Sequence, residues 1–207
     1  MHLDRKLPPI LLLLIIGIMI WSGYGPLHRT MWFYEASFTF ILLLLFVVSY
    51  RFFQWTNITY CIAFFSIVSM LIGSHYTYAE MPFFHFLSDR FGESRNHFDR
   101  FGHIFLGMFT YLCAREYFIR QQIMKSNWVT LSSFVYTLAI AAGYELVEFS
   151  IPYIAGTNIH VFLAEQGDVW DSHWDIVMAI VGAMISYLAW QPLQNQQLAS
   201  FKSKEKN

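Results

Sequence analysis

The run from Trp32 to Tyr50, WFYEASFTFILLLLFVVSY, decides the fold. It holds 19 residues and one charge, Glu35. A helix of that length rises roughly 28 Å, close to the hydrocarbon thickness of a bilayer. The run has neither the polar stripe of a surface helix nor the alternation of a barrel strand. It predicts a membrane-spanning helix. Five more apolar segments read the same way, at 8–21, 58–73, 98–118, 128–149 and 174–190.

Composition agrees with that reading. Among 207 residues, 56% are hydrophobic and 13% charged, against about a quarter charged in an ordinary soluble domain. The 13 basic and 14 acidic residues nearly cancel. These values exclude a disordered chain, a nucleic-acid binder and a small disulfide scaffold. The aromatic share of 19% suits lipid-facing surface and interfacial belts. Membrane lipids are therefore the expected surroundings. Cys61 and Cys113 fall inside apolar runs and read as packed thiols. The expectation is an all-α, polytopic membrane helix bundle. It forms one integral membrane domain of about six transmembrane helices.

Arg5 and Lys6 precede the first segment, as in a signal peptide. No small-residue cleavage site follows Trp21, so the segment reads as a retained anchor. Basic residues set the orientation. The termini and the second–third and fourth–fifth loops hold Arg5, Lys6, Arg51, Arg115, Arg120, Lys125, Lys202, Lys204 and Lys206. The other side holds Arg29, Arg90, Arg95 and Arg100. Both termini are expected in the cytoplasm, with the C-tail from Gln191 a solvated end.

The remaining polar residues gather on the outer side. Asn96-His-Phe-Asp-Arg-Phe-Gly-His103 opens the fourth span, with Asp99 and His103 on one helix face. Tyr144-Glu-Leu-Val-Glu148 closes the fifth and sets Glu145 beside Glu148. Gly167-Asp-Val-Trp-Asp-Ser-His-Trp-Asp175 opens the sixth. Asp168, Asp171 and Asp175 share a stripe if the helix starts early enough. His75 and Glu80 leave the third span on the same side, and His97 and His173 flank the acidic segments. A carboxylate at membrane depth costs about 2.5–3.5 kcal/mol on insertion scales. Repetition on three helices calls for a compensating cation, shared protons, or Arg95 and Arg100. Asp99, His103, Glu145, Glu148, Asp171 and Asp175 form an oxygen-rich set with one imidazole. It suits a divalent metal such as Mg, Mn, Zn or Fe. Glu35, alone on its span but on the same side, either joins this cluster or reaches the headgroups, and the headgroup reading is the favoured one. Gly102, Gly107, Gly143 and Gly182 read as sites of close helix packing.

These motifs, with Gly73-Ser-His75-Tyr-Thr-Tyr-Ala-Glu80-Met-Pro, resemble the YjdF family of bacterial inner-membrane proteins over almost the whole chain. The resemblance implies a multi-pass inner-membrane location and no established activity. The last three spans are distantly similar to VanZ-like membrane proteins, at Asp99, His103, Glu145, Asp175 and Gly182. Glu148 stands where that pattern has Gln, and Ala179 where it has Asn. The Arg that pattern carries between its last two spans is missing.

Three functions are expected to compete. The first is a metal-dependent enzyme on a lipid-linked or envelope substrate. The second is a proton- or ion-coupled transporter. The third is a structural or accessory membrane protein whose polar cluster only locks the bundle.

Overall fold

The computed structural model describes residues 6–155 and 166–204, with side chains at 6–150 and 166–201. The side chains of Arg5, Lys202, Lys204 and Lys206, which helped set the expected orientation, lie outside these. The described residues form helices and no strand. They are α1 (Leu7–Gly23), α2 (Arg29–Ser49), α3 (Asn57–Tyr76), α4 (Pro82–Phe91), α5 (Phe98–Arg120), α6 (Ser126–Ala155), α7 (Asp171–Ile185) and α8 (Gln191–Lys204). A 3₁₀ turn, Tyr78–Glu80, precedes α4, and a π turn, Ser186–Trp190, joins α7 to α8 without a break. The chain is an all-α membrane helix bundle.

Among the described residues, four helical stretches are long and apolar enough to cross a bilayer: Arg29–Ser49, Asn57–Tyr76, Ser126–Ser150 and Asp171–Phe201. Helix α1 is apolar but shorter, at 17 residues. Helix α5 has 23 residues and charges in both its first and last turns. Its position accounts for them. It packs against α3, α6 and α7, so its charges face protein rather than lipid. Helices α1 and α2 lean on α3 from the outside.

Two glycines bring α5 and α7 together. A methyl group on Gly107 would lie 1.8 Å from the Ala179 carbonyl oxygen, and one on Gly182 would lie 2.0 Å from that of Ile104. No side chain fits there, so the backbones touch, as small residues allow in membrane bundles. Gly143 has nothing near it and Gly102 has only ordinary contact with Tyr78, so these two do not serve close packing.

Three segments depart from the sequence reading. The 74–97 stretch, which lies between the third and fourth apolar segments, contains α4. The repeated Asp-Arg-Phe-Gly does opposite jobs there. At 89–92 it ends α4 on Gly92, in the left-handed conformation at φ 71°, while at 99–102 it lies inside α5. Helix α7 starts at Asp171, so Asp168 sits in the preceding turn and off the Asp171–Asp175 stripe.

The third departure is the C-terminal glutamine run, which is docked rather than solvated. Gln194 and Gln197 are buried. Gln197 Oε1 accepts the Ile58 N–H at 3.1 Å, and Glu116 Oε1 accepts the Thr56 N–H at 2.8 Å. Side chains from α8 and α5 thus cap the start of α3, whose first N–H groups have no helical partner. The Thr56 and Thr59 hydroxyls donate to Glu116 Oε2 at 2.7 and 2.9 Å. Arg115, counted above as a loop charge, is buried and donates to Gln194 Oε1 and Asn195 Oδ1, each at 2.6 Å. The sequence places polar groups on only one side of the bundle; the fold builds a second network at the opposite end.

Candidate functional site

The C-terminal ends of α3 and α6 and the N-terminal ends of α2, α5 and α7 meet at one end of the bundle. Asp99 and His103 stand one turn apart on α5, and both are buried. His103 Nε2 lies 3.2 Å from Glu145 Oε1 on α6 and 3.8 Å from Asp99 Oδ1. Asp175 enters from α7, buried. Donor atoms of Asp99, His103 and Asp175 all lie within 4.8 Å of one another, as do those of His103, Glu145 and Glu148. The two sets share His103.

Glu35 belongs here as well. Rather than reaching the headgroups, it is 9% exposed and in electrostatic contact with Asp99 and Glu148. Nothing in its sequence context pairs it with another polar residue; only the docking of α2 does. Tyr78 and Tyr144 complete the wall, Tyr144 with its ring edge-on to His103 at 5.6 Å between centroids. Thr77 turns the chain back at φ 58°, which is strained for a β-branched residue, and so delivers Tyr78 into the bundle. The Tyr78 ring occupies the place a side chain on Gly73 would need, 2.6 Å from that position.

Polar atoms in this basket lack partners among the described residues. Glu35 Oε2, His103 Nδ1, Glu145 Oε1 and Asp175 Oδ1 are buried without a hydrogen bond, and Asp171 Oδ2 is so at its edge. The Glu145 oxygen faces His103 Nε2 at a short distance, yet in a geometry that makes no hydrogen bond. Buried polar atoms are rarely left so, and a group of them points to shared protons, water or a cation.

Two arginines cover the mouth. Arg95 pairs with buried Asp171. Arg100 lies 2.7 Å from Asp168 and 3.7 Å from Asp171, with its guanidinium 5.7 Å from the Trp174 ring centre. Asn96 and Gln166 clamp the two loops together. The Asn96 N–H donates to Gln166 Oε1 at 2.8 Å, and Gln166 Nε2 donates to the Asn96 carbonyl at 2.9 Å. At the rim, the Trp170 N–H and then the Arg100 guanidinium hold the Asp168 carboxyl below its ordinary pKa. Burial, then Arg100 and Arg95, hold the His97 imidazole below its own.

Of the residues singled out by sequence, Asp99, His103, Glu145, Glu148 and Asp175 converge. Asp171, Asp168 and His97 form the lip, engaged with arginine. Three others stand apart. His75 stacks on Trp21 at 4.3 Å, and its Nδ1 lies 2.9 Å from the Ser22 carbonyl oxygen. Glu80 is more than half exposed, 3.9 Å from His28. His173 is exposed beside Trp170. All three sit on the right end of the bundle, but their side chains project away from its axis.

Residues 7–195 match the family described as predicted membrane protein (DUF2238). The chain belongs to this family. It is also 29% identical over 204 residues to the inner membrane protein YjdF of Escherichia coli (strain K12), covering 96% of this chain and 98% of that one. No solved structure gives a significant match. The basket residues are thus those of a multi-pass inner-membrane protein of the YjdF family.

Proposed function

We propose that this YjdF-family protein binds a divalent cation in the basket, on the outer side of the inner membrane, and uses it on a lipid-linked or envelope substrate. One observation carries the reading: unpartnered, buried donor atoms from α5, α6 and α7 converge on His103. Glu35, Asp99, Glu145, Glu148, Asp171 and Asp175 supply six carboxyl groups against two guanidiniums, Arg95 and Arg100. A divalent ion offsets that excess, and the single imidazole among oxygens suits Mg, Mn, Fe or Zn. Both termini then lie in the cytoplasm, as the distribution of basic residues favours.

Held by His103 and the surrounding carboxylates, a divalent ion would supply Lewis-acid chemistry, activating a water molecule and polarising a phosphoryl or carbonyl oxygen. A carboxylate left free of the metal, Glu35 or Glu148, takes the proton as water adds to phosphorus. The phosphorus–oxygen bond to the leaving group breaks, and that group departs with the electron pair. Arg100 stands at the mouth, where an anionic headgroup would enter.

Elemental analysis of detergent-purified protein tests this reading. Near-stoichiometric metal, lost in Asp99→Asn, Glu145→Gln and Asp175→Asn, supports it. Metal-free protein, with variants that change only thermal stability, favours the purely structural role. Proton-coupled transport has one observation in its favour. Buried hydroxyls at Thr39, Ser66, Thr110 and Thr137 lie along the bundle between its two polar ends. Proton uptake by reconstituted vesicles, abolished by Thr110→Val, would favour that reading over the enzyme.

A further inference from the structure

Helices α1 and α2 form a V that opens at the end opposite the carboxylates. At the closed end they are pinned. Trp32 Nε1 donates to Ser22 Oγ at 2.9 Å, and that hydroxyl donates to the Leu71 carbonyl of α3 at 2.7 Å. A side chain on Gly23 would meet the Trp32 ring at 3.1 Å, so the two helices close tightly there. Away from the pin they lean on α3 and barely on each other.

The divergence leaves a cavity of about 270 Å³. Its walls are Leu12 and Ile15 of α1, Leu43 and Val47 of α2, and Ala63 and Ile67 of α3. Tyr50 and Tyr60 line its open end, opposite the carboxylates. The Tyr60 hydroxyl already accepts the Trp55 N–H at 3.3 Å. Lys6 directly precedes α1, and Arg51 follows Tyr50, exposed.

We infer that the cleft holds one acyl chain of an anionic phospholipid, with its headgroup between Lys6 and Arg51. The depth, the walls and the mouth each bear on the occupant. The walls belong to the membrane-embedded parts of three helices, where the surrounding medium is hydrocarbon. An apolar void open to that medium fills with it, because packed interiors lose dispersion contacts around an empty space. The polar groups lie at one end only, as an amphiphile requires. Two basic residues at that end select a negative headgroup, as juxtamembrane lysines and arginines do. This site is separate from the carboxylate basket and does not depend on metal there.

Photolabelling of the full-length protein in nanodiscs tests it. The probes are phosphatidylglycerol and phosphatidylcholine, each with a diazirine at the end of one acyl chain. Phosphatidylglycerol adducts are expected on Leu12, Ile15, Ala63 and Ile67 at several times the level on lipid-facing Leu131 and Val135. Val47→Trp, at a partly exposed position, should bring cleft labelling down to the Leu131 level. The double variant Lys6→Ser, Arg51→Ser should leave the fold intact and abolish the preference over phosphatidylcholine. Even labelling of all helix faces would overturn the site. So would cleft labelling unchanged by Val47→Trp, or protein–protein cross-links through the cleft, which would make a second copy its occupant. Equal labelling by the two lipids in the unaltered protein would overturn the anionic headgroup.

Discussion

His103 on α5 and Glu145 on α6 meet at 3.2 Å, while the other imidazole nitrogen of His103 is buried without a partner. A histidine kept only for packing would use Nδ1 on a carbonyl or hydroxyl of its own surroundings. Here Nε2 faces the carboxyls of Asp99 and Glu145 and Nδ1 stays unpartnered, while the arginines that would neutralise the carboxylates stand at the rim.

The scaffold that sets this geometry is the α5–α7 contact. Gly107→Ala and Gly182→Ala each force the backbones apart and are expected to cost about 1–3 kcal/mol, the range for overpacking a filled core. Gly143→Ala, with open space around it, should leave stability unchanged. Thermal unfolding in detergent separates the three. Equal melting temperatures for all would show that the close approach does not hold the bundle.

The opposite end is locked by Glu116, which is fully buried and accepts from Thr56, Thr59 and Arg120. Glu116→Ala strands those donors and is expected to cost about 3–5 kcal/mol, as removal of one partner from a buried ionic network does. Glu116→Gln keeps an acceptor and should cost less. Metal content, measured on whatever folds, should not change, because the network is at the far end from the basket. A Glu116→Gln protein that folds but has lost its metal would contradict this separation.

The lip gives a pH dependence. His97 titrates near about 6.5 in an unfolded chain, and the folded protein holds it lower. Below about pH 6.5 the unfolded chain takes a proton that the folded one resists. Its contribution to stability is therefore complete above that pH and is lost as the pH falls toward the folded value. The melting temperature should drop between about pH 7.5 and about pH 5.5, and His97→Gln should make that drop shallower. Parallel curves for the two proteins would remove His97 from the account.

The helices and the basket's core were legible because their signals are local. Asp99 and His103, or Glu145 and Glu148, declare themselves by helical spacing, and topology alone puts them at one end. Glu35 has no such partner in sequence, and joins the site only through the tertiary packing of α2. The glutamines at 191, 194 and 197 misled for the opposite reason. A polar run after the last apolar segment reads as solvated, yet the helix continues through the π turn and lays them against α3 and α5. His75 shows the limit of topology. Its position along the bundle axis was right, but its rotation about α3 turned it toward Trp21 and Ser22. Asp168 failed by one turn, since α7 begins at Asp171.

The central claim is that one imidazole among carboxylates holds a divalent ion. Electron spin-echo modulation on protein loaded with Mn²⁺ in detergent reads this directly. Bound Mn²⁺ is expected to show nitrogen modulation from a single imidazole, which disappears in His103→Gln. No bound Mn²⁺, or nitrogen modulation that survives unchanged in His103→Gln, would contradict it.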